Sequence, residues 1–225
     1  MKLRVILRII SVIAVVSAST AGYLVYAKLR TYAIEEARQE GLRQVETIAK
    51  NVSTFLSENL RPVRVLAGMD VVKAYLADPR ADKLIAAHAV LDHFKETLAV
   101  DVCYLMDING RTVATSNRFD SDSFMGLNFS FRPYYQRAIQ GLPATYLALG
   151  TTSKVRGAYY SYPVYIDDLD VPSGIIVIKA SIFFVERELP PADERIVLVT
   201  DPNGVVFISN LPDWRYKLLW RQPPT

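Results

Sequence analysis

The sequence is poor in the side chains that build disulfides and metal centres. It has a single cysteine, Cys103, so neither an internal disulfide nor a C-x-x-C motif is available. The two histidines, His88 and His93, lie five positions apart in a segment predicted to be helical, whereas two ligands on one helical face need a spacing of three or four. We therefore interpret both histidines as surface or boundary residues and predict no metal site.

The sequence also lacks a block of charge of one sign. Its net charge is +3, and basic residues alternate with acidic ones, so no nucleic-acid footprint is visible. There is no Gly-x-Ser-x-Gly elbow, and the pair Asp167 and Asp168 is typical of a solvated turn. We predict no catalytic residue and no cofactor in this chain. With 51% hydrophobic residues the chain is globular, not disordered.

What the sequence does have begins at the N-terminus. Residues 1–8 carry Lys2, Arg4 and Arg8, and residues 9–27 then run without a charge for about the length of a membrane-spanning helix. The alternative is a cleaved signal peptide, because "SASTAG" offers small residues near a cleavage point. Since the apolar run continues beyond that point, we favour an uncleaved anchor with a cytoplasmic N-terminus and the rest outside the cytoplasm.

Residues 28–68 are predicted to form one long helix, kinked near Pro62. Its apolar positions follow a heptad pattern that Asn59 alone interrupts: Leu42, Val45, Ala49, Val52, Leu56, Val63 and Leu66. A polar residue in such a seam can set register, so a parallel homodimer is one interpretation. The other is that the stripe packs on the protein's own domain.

From Val102 onward the pattern indicates strands. Apolar runs flank Asn109-Gly110, which is a strong hairpin signal, and further strands are predicted in "ATYLALG", "AYYSYPVYI", "SGIIVIKAS" and "IVLVTDPNGVVFIS". Between them Pro133 begins a short helix that is expected to end at Gly141. The predicted fold class is α+β with an antiparallel sheet.

The hairpin "MDINGRTVATSN" has a near copy, "TDPNGVVFISN". The two copies share an aspartate, an Asn-Gly turn and a Ser-Asn pair: Asp107 with Asp201, Asn109-Gly110 with Asn203-Gly204, and Ser116-Asn117 with Ser209-Asn210, one residue being deleted in between. Such turns are common, so coincidence is one explanation. We favour duplication, which predicts two sheet modules.

The segments "FRPYYQRA", "LGTTS", "SYPV" and "GIIVIKAS" together resemble the extracytoplasmic double Cache (PAS-like) sensor region of C4-dicarboxylate transport sensor histidine kinases. The resemblance implies a transmembrane and then extracytoplasmic helix that carries two PAS-like antiparallel-sheet Cache modules. The ligand-binding, membrane-distal module would be residues 69–189, and the membrane-proximal module, incomplete here, residues 190–225. The parent would be an ATP-dependent, autophosphorylating kinase that reaches a response regulator through a kinase region absent from this chain.

The resemblance also implies a ligand site. Arg132, Thr151, Ser153 and Lys179 match family positions that contact a small dicarboxylate, whose two anionic ends need two separated cationic clusters. Phe129 departs from a tyrosine that the family often has, and Tyr160, among several tyrosines, could supply the missing hydroxyl. The alternatives are that Arg132 pairs with Asp120 or Asp122 at the surface, and that Lys179 is an exposed lysine of an edge strand.

The expected function is therefore that of a sensor region in the inner (cytoplasmic) membrane, periplasmic beyond the anchor and homodimeric. It would bind succinate, malate, fumarate or a similar ligand and signal through the membrane. The alternatives are the input domain of a chemoreceptor or diguanylate cyclase, and a membrane-anchored structural protein with no ligand.

Overall fold

The computed structural model describes residues 2–166, 171–201 and 203–220, without the side chains of residues 2, 4 and 5. The pair Asp167 and Asp168, predicted to form a solvated turn, lies outside the described residues. The chain divides into two units, residues 1–50 and 51–225, which are described separately.

The first unit is the greater part of helix α1, Lys2–Glu58. This helix contains no proline, and Gly22 and Gly41 are its only glycines, so few residues oppose helix formation. Its most apolar 18-residue window has a mean hydropathy of 1.9, is not buried, and makes α1 long and apolar enough to cross a membrane. Leu42 and Val45, two residues of the predicted heptad seam, are exposed.

The second unit begins with the end of α1 and three further helices: α2, Leu60–Gly68; α3, Asp70–Ala77; and α4, Ala81–Leu98. The predicted long helix is thus interrupted at Asn59, three residues before Pro62, where the sequence predicts a kink. Here the seam residues Val63 and Leu66 are fully buried. The part of the stripe in this unit therefore packs on the protein's own domain. The predicted domain boundaries themselves stay a prediction.

The helices cover one face of a five-stranded antiparallel sheet. Its strands are β1, Val102–Asp107; β2, Thr112–Thr115; β3, Ala144–Leu149; β4, Arg156–Val164; and β5, Gly174–Ser181. The strand order is β2-β1-β5-β4-β3, so the predicted hairpin lies beside the predicted three-strand meander. The predicted α+β class and antiparallel sheet are confirmed.

Alternation along the strands separates two apolar clusters. Cys103, Leu105 and Ile178 point towards the helices, whereas Tyr104 and Val177 point towards the opposite face. That opposite face is covered by α5, Pro133–Ala138, and by the chain that leads into it from β2. This second cluster surrounds the candidate site.

After β5 come α6, Phe183–Arg187, and a second hairpin of β6, Leu198–Thr200, and β7, Val206–Ser209, followed by a 3₁₀ helix, Pro212–Trp214. The second hairpin repeats the first in detail. Asp107 Oδ1 accepts hydrogen bonds from the backbone N–H groups two and four residues later, at 2.8 and 2.9 Å, and Asp201 Oδ1 does the same at 2.9 Å for both. Both strand pairs also carry a register shift before the turn.

The repeat corrects the predicted alignment. Tyr104 pairs with Thr115 and Leu198 with Ser209, so the register requires no deleted residue. Ser209 therefore matches Thr115, and the Asn210 side chain replaces that of Ser116 in accepting a hydrogen bond from the facing strand, at 2.9 and 3.0 Å respectively. The predicted pairing of Ser116-Asn117 with Ser209-Asn210 is wrong by one position, because a chance Ser-Asn match outweighed strand register.

The first hairpin has a glycine in the left-handed conformation, Gly110, and adding one methyl group at this position should destabilise the fold. Gly110 has φ +78°, and an added Cβ would lie 2.8 Å from the Ser130 backbone. We expect Gly110→Ala to lower the free energy of unfolding by about 2 kcal/mol or more, because left-handed backbone and steric overlap add. Urea unfolding followed by near-UV circular dichroism measures this.

Gly41→Ala is the matched control, since Gly41 lies in a helix with nothing within 4 Å of the added Cβ. It should be neutral or slightly stabilising. Equal stability of the two variants would contradict the hairpin geometry.

Candidate functional site

The candidate site lies on the sheet face that α5 covers, beside the turn Gly150–Val155 that joins β3 to β4. Arg132 is the residue immediately before α5, and Pro133 begins the helix. Its guanidinium lies 6.0 Å from the ring centroid of Tyr159 and donates from Nη2 to the carbonyl of Leu149 at 3.1 Å. Its Nε is buried without a hydrogen-bond partner among the described residues. The alternative pairing with Asp120 or Asp122 does not occur in the described structure.

Lys179 provides a second cation on the same face. It sits in β5, the central strand of the sheet, and is 3% exposed, so the edge-strand interpretation is wrong. Its Nζ donates to Ser153 Oγ at 3.1 Å and lies 3.4 Å from a carboxylate oxygen of Asp101. Lys179 faces Tyr159 across the strand pair, so the two cations flank the same tyrosine.

The turn between the cations is tightly closed. The Gly150 amide donates to the Val155 carbonyl at 3.0 Å, and Lys154 takes a left-handed conformation with φ 54°. A side chain at Gly150 would collide with Ser153 Oγ, 2.3 Å from an added Cβ, and approach the Tyr159 hydroxyl at 3.2 Å. Gly150 therefore permits the turn to press against the site.

Aromatic side chains form the floor. Tyr104 donates to the Tyr134 hydroxyl at 2.8 Å, and the Tyr134 and Tyr159 rings stack with centroids 5.1 Å apart. Phe124 and Phe129 pack edge to face, 5.4 Å between centroids. These rings keep the polar groups at fixed positions in apolar surroundings.

Burial keeps the phenols neutral. It raises the pKa of Tyr134 to about 12, although the hydrogen bond from Tyr104 acts in the opposite direction. Burial also raises the pKa of Tyr104 well above its ordinary value. The site thus combines neutral hydroxyls with two basic side chains, Arg132 and Lys179, and one acidic side chain, Asp101, a balance that favours an anion.

The enclosed space is small. A cavity of about 10 Å³ is lined by Arg132, the floor aromatics, and Gly150, Thr151 and Thr152 of the turn. A cavity of this volume has room for about one water molecule.

Of the predicted residues, the structure brings five together. Arg132, Thr151 and Phe129 line the cavity, and Ser153 with Lys179 lies at the adjoining side of the turn. Tyr160 does not belong to the site, because it points to the helix-covered face, where its hydroxyl donates to the Phe55 carbonyl. Strand alternation places its neighbour Tyr159 at the site instead.

Sequence reasoning missed four participants: Tyr104, Phe124, Asp101 and Thr152. Side chains alternate between the two faces of β1, and this alternation could have predicted that Tyr104 lies on the face of the site. The pairing of Asp101 with Lys179 depends on strand register, which the sequence leaves open.

The raised tyrosine pKa values predict a fall in stability at alkaline pH. Between a pKa near 10 in the unfolded chain and about 12 for folded Tyr134, only the unfolded state releases the proton. We expect the free energy of unfolding to fall by about 1.4 kcal/mol per pH unit for each such tyrosine. Urea unfolding between about pH 10 and about pH 12 measures the slope, and Tyr134→Phe should make it shallower. A flat profile would contradict the burial.

With the geometry in place, comparison with known proteins identifies relatives. No family model matches the chain. The C4-dicarboxylate transport sensor protein DctB of Pseudomonas aeruginosa is 31% identical over 211 residues, 93% of this chain and 34% of that protein. The protein of the same name from Rhizobium meliloti is 34% identical over 152 residues, 68% of this chain and 24% of that protein. The chain thus spans about a third or less of these relatives.

A solved structure agrees. The sensor domain of the V. cholerae histidine kinase DctB superposes with a TM-score of 0.75 and 27% identity, over 83% of this chain and 71% of that one. By sequence and by fold, the chain is therefore homologous to the sensor domain of the DctB C4-dicarboxylate transport sensor proteins.

Proposed function

We propose that the chain is the extracytoplasmic ligand-sensing region of a membrane-bound sensor histidine kinase, and that it binds a small C4-dicarboxylate. The observation that carries the proposal is the pair of cations, Arg132 and Lys179, on either side of Tyr159 on one sheet face. The relatives' name supplies the ligand class.

The two cations suit the two ends of such a ligand. The Nε of Arg132 is a buried donor without a partner, so one carboxylate accepting from it would remove a desolvation cost of about 1–3 kcal/mol. The other carboxylate would meet Lys179 Nζ and Ser153 Oγ, which already touch each other. A monocarboxylate would satisfy only one end.

Binding requires the turn to move. A cavity of about 10 Å³ does not hold four carbons, so residues 150–155 must shift away from the aromatic floor before the ligand enters. The hydrogen bonds of Gly150 and Lys154 across the turn are the contacts to be rearranged. The ligand would then favour the open arrangement by its differential affinity for the two arrangements.

The same proposal extends to the membrane and to signalling. Helix α1 would anchor the chain in the inner membrane with the sheet outside the cytoplasm, since the positive residues precede the apolar run. Leu42 and Val45, exposed within a heptad pattern, would form the homodimer seam. A response regulator would be reached through a kinase region outside this chain.

Thermal unfolding of the full chain in detergent micelles tests the ligand. We expect succinate at about a hundred times its dissociation constant to stabilise the fold by about 2.7 kcal/mol and raise the midpoint by about 5 °C or more. Arg132→Gln and Lys179→Met should each reduce the affinity at least about tenfold, because each removes a charged hydrogen bond to the ligand.

Arg137→Gln is the matched control, because Arg137 is exposed on the same short helix. It should respond to succinate like the parent. Equal responses of Arg132→Gln and Arg137→Gln would rule out the proposed role of Arg132. A parent that no dicarboxylate stabilises would favour the alternative of a structural protein.

Phe129 offers a test by gain of function. It is 5% exposed and lines the cavity beside Tyr104. We expect Phe129→Tyr to tighten succinate binding by about fivefold, the effect of one added neutral hydrogen bond of about 1 kcal/mol. Isothermal titration calorimetry measures the change. A weaker affinity at unchanged stability would show that the ligand does not lie over this ring.

A further inference from the structure

A second cavity, larger than the candidate site, lies between the end of the first sheet and the second hairpin. Its volume is about 600 Å³, and among the described residues its lining includes four cations, Lys154, Arg156, Arg187 and Arg215, and one acid, Glu186. Ile182, Phe183, Leu189 and Pro190 contribute an apolar wall. Pockets of this size and mixed lining bind small organic molecules.

At the centre of the cavity, two arginines contact the same carboxylate. Arg156 grips Glu186 in a two-pronged ion pair at 2.7 and 2.8 Å, and Arg215 Nη2 meets the same carboxylate at 3.1 Å. The side chains of Arg156 and Glu186 are only 12% and 9% exposed. Two guanidinium groups thus share one carboxylate. Within the part of the chain that the structure describes, one positive charge is left without a partner carboxylate in partly buried surroundings, an arrangement that is costly without a counter-anion.

One donor of this cluster is also unused. The Nε of Arg215 is buried and has no hydrogen-bond partner among the described residues. The Asn210 side chain, which also lines the cavity, has other partners: its Oδ1 accepts from the Val197 amide and its Nδ2 donates to the carbonyls of Pro190 and Arg195. A buried donor is nearly always paired in a native protein, so this one marks a place for an acceptor.

We propose that this cavity is a second ligand site and binds an organic monocarboxylate, separate from the dicarboxylate site. The carboxylate would accept from Arg215 Nε and neutralise the single excess charge of the Arg156, Glu186 and Arg215 cluster. The hydrocarbon part would lie against Ile182 and Pro190. Arg187 and Lys154, both exposed at the cavity, add attraction for an anion.

The chain contains its own probe for this site. Its two tryptophans are Trp214 and Trp220, and Trp214 directly precedes Arg215. Trp214 does not line the cavity but is adjacent to a residue that does, whereas the aromatic floor of the dicarboxylate site contains only tyrosine and phenylalanine, so tryptophan fluorescence favours the second cavity over the first site.

The experiment is a fluorescence titration of the full chain in detergent micelles with hexanoate, with hexanol and acetate as the separate halves of the ligand. We expect a saturable change with hexanoate, a much weaker one with acetate, and none with hexanol. Arg215→Lys keeps a cation beside Glu186 but removes the Nε donor, so it should weaken hexanoate at least about tenfold. Arg132→Gln, in the other site, should bind hexanoate like the parent.

Glu186→Gln is expected to change the hexanoate affinity in the opposite direction from Arg215→Lys. It raises the net positive charge of the cluster, so hexanoate should bind several times more tightly. The proposal is overturned if hexanoate gives no saturable change, if Arg215→Lys titrates like the parent, or if a folded Glu186→Gln binds more weakly. Near-UV circular dichroism establishes that each variant is folded.

Discussion

Lysine is costly to bury, and this sheet buries one in its central strand. Lys179 in β5 contacts Ser153 of the turn Gly150–Val155 and Asp101, the residue immediately before β1, so a single ammonium group connects three parts of the chain. The aromatic floor, the closed turn and the position of Arg132 all lie around this cation. In the proposed function, an anion that reaches Lys179 would compete with the contacts of Ser153 and Asp101, and this competition would couple binding to a change in the conformation of the turn.

The residue that follows the same turn contacts the second hairpin. Arg156 is the first residue of β4 after the turn, and its guanidinium holds Glu186 of α6 and the Phe207 carbonyl of β7. A shift of residues 150–155 would therefore act on the second hairpin through one buried side chain. The turn of this second hairpin repeats the aspartate-to-backbone hydrogen bonds of the first hairpin.

Local patterns predicted much of this structure. The Asn-Gly turn, the apolar runs and Pro133 placed the hairpin, the strands and α5. The predictions that failed depend on which face of a strand a side chain occupies and on how the strands pair. Tyr160 was chosen where its neighbour Tyr159 faces the site, and the hairpin copies were aligned one residue out of register. The strand propensity of the sequence is the same for either tyrosine and for either hairpin alignment. Only the pairing of distant strands decides between them.

The central claim is that Lys179 holds one end of a two-ended ligand, and calorimetry with succinate and butyrate on the parent and Lys179→Met tests it most directly. Within the dicarboxylate site, Arg132 alone can bind the single carboxylate of butyrate, and both proteins carry Arg215→Lys so that the second cavity binds it only weakly. The account predicts that Lys179→Met weakens succinate at least about tenfold and butyrate little. Equal losses for both ligands, or no preference of the parent for succinate, would contradict it.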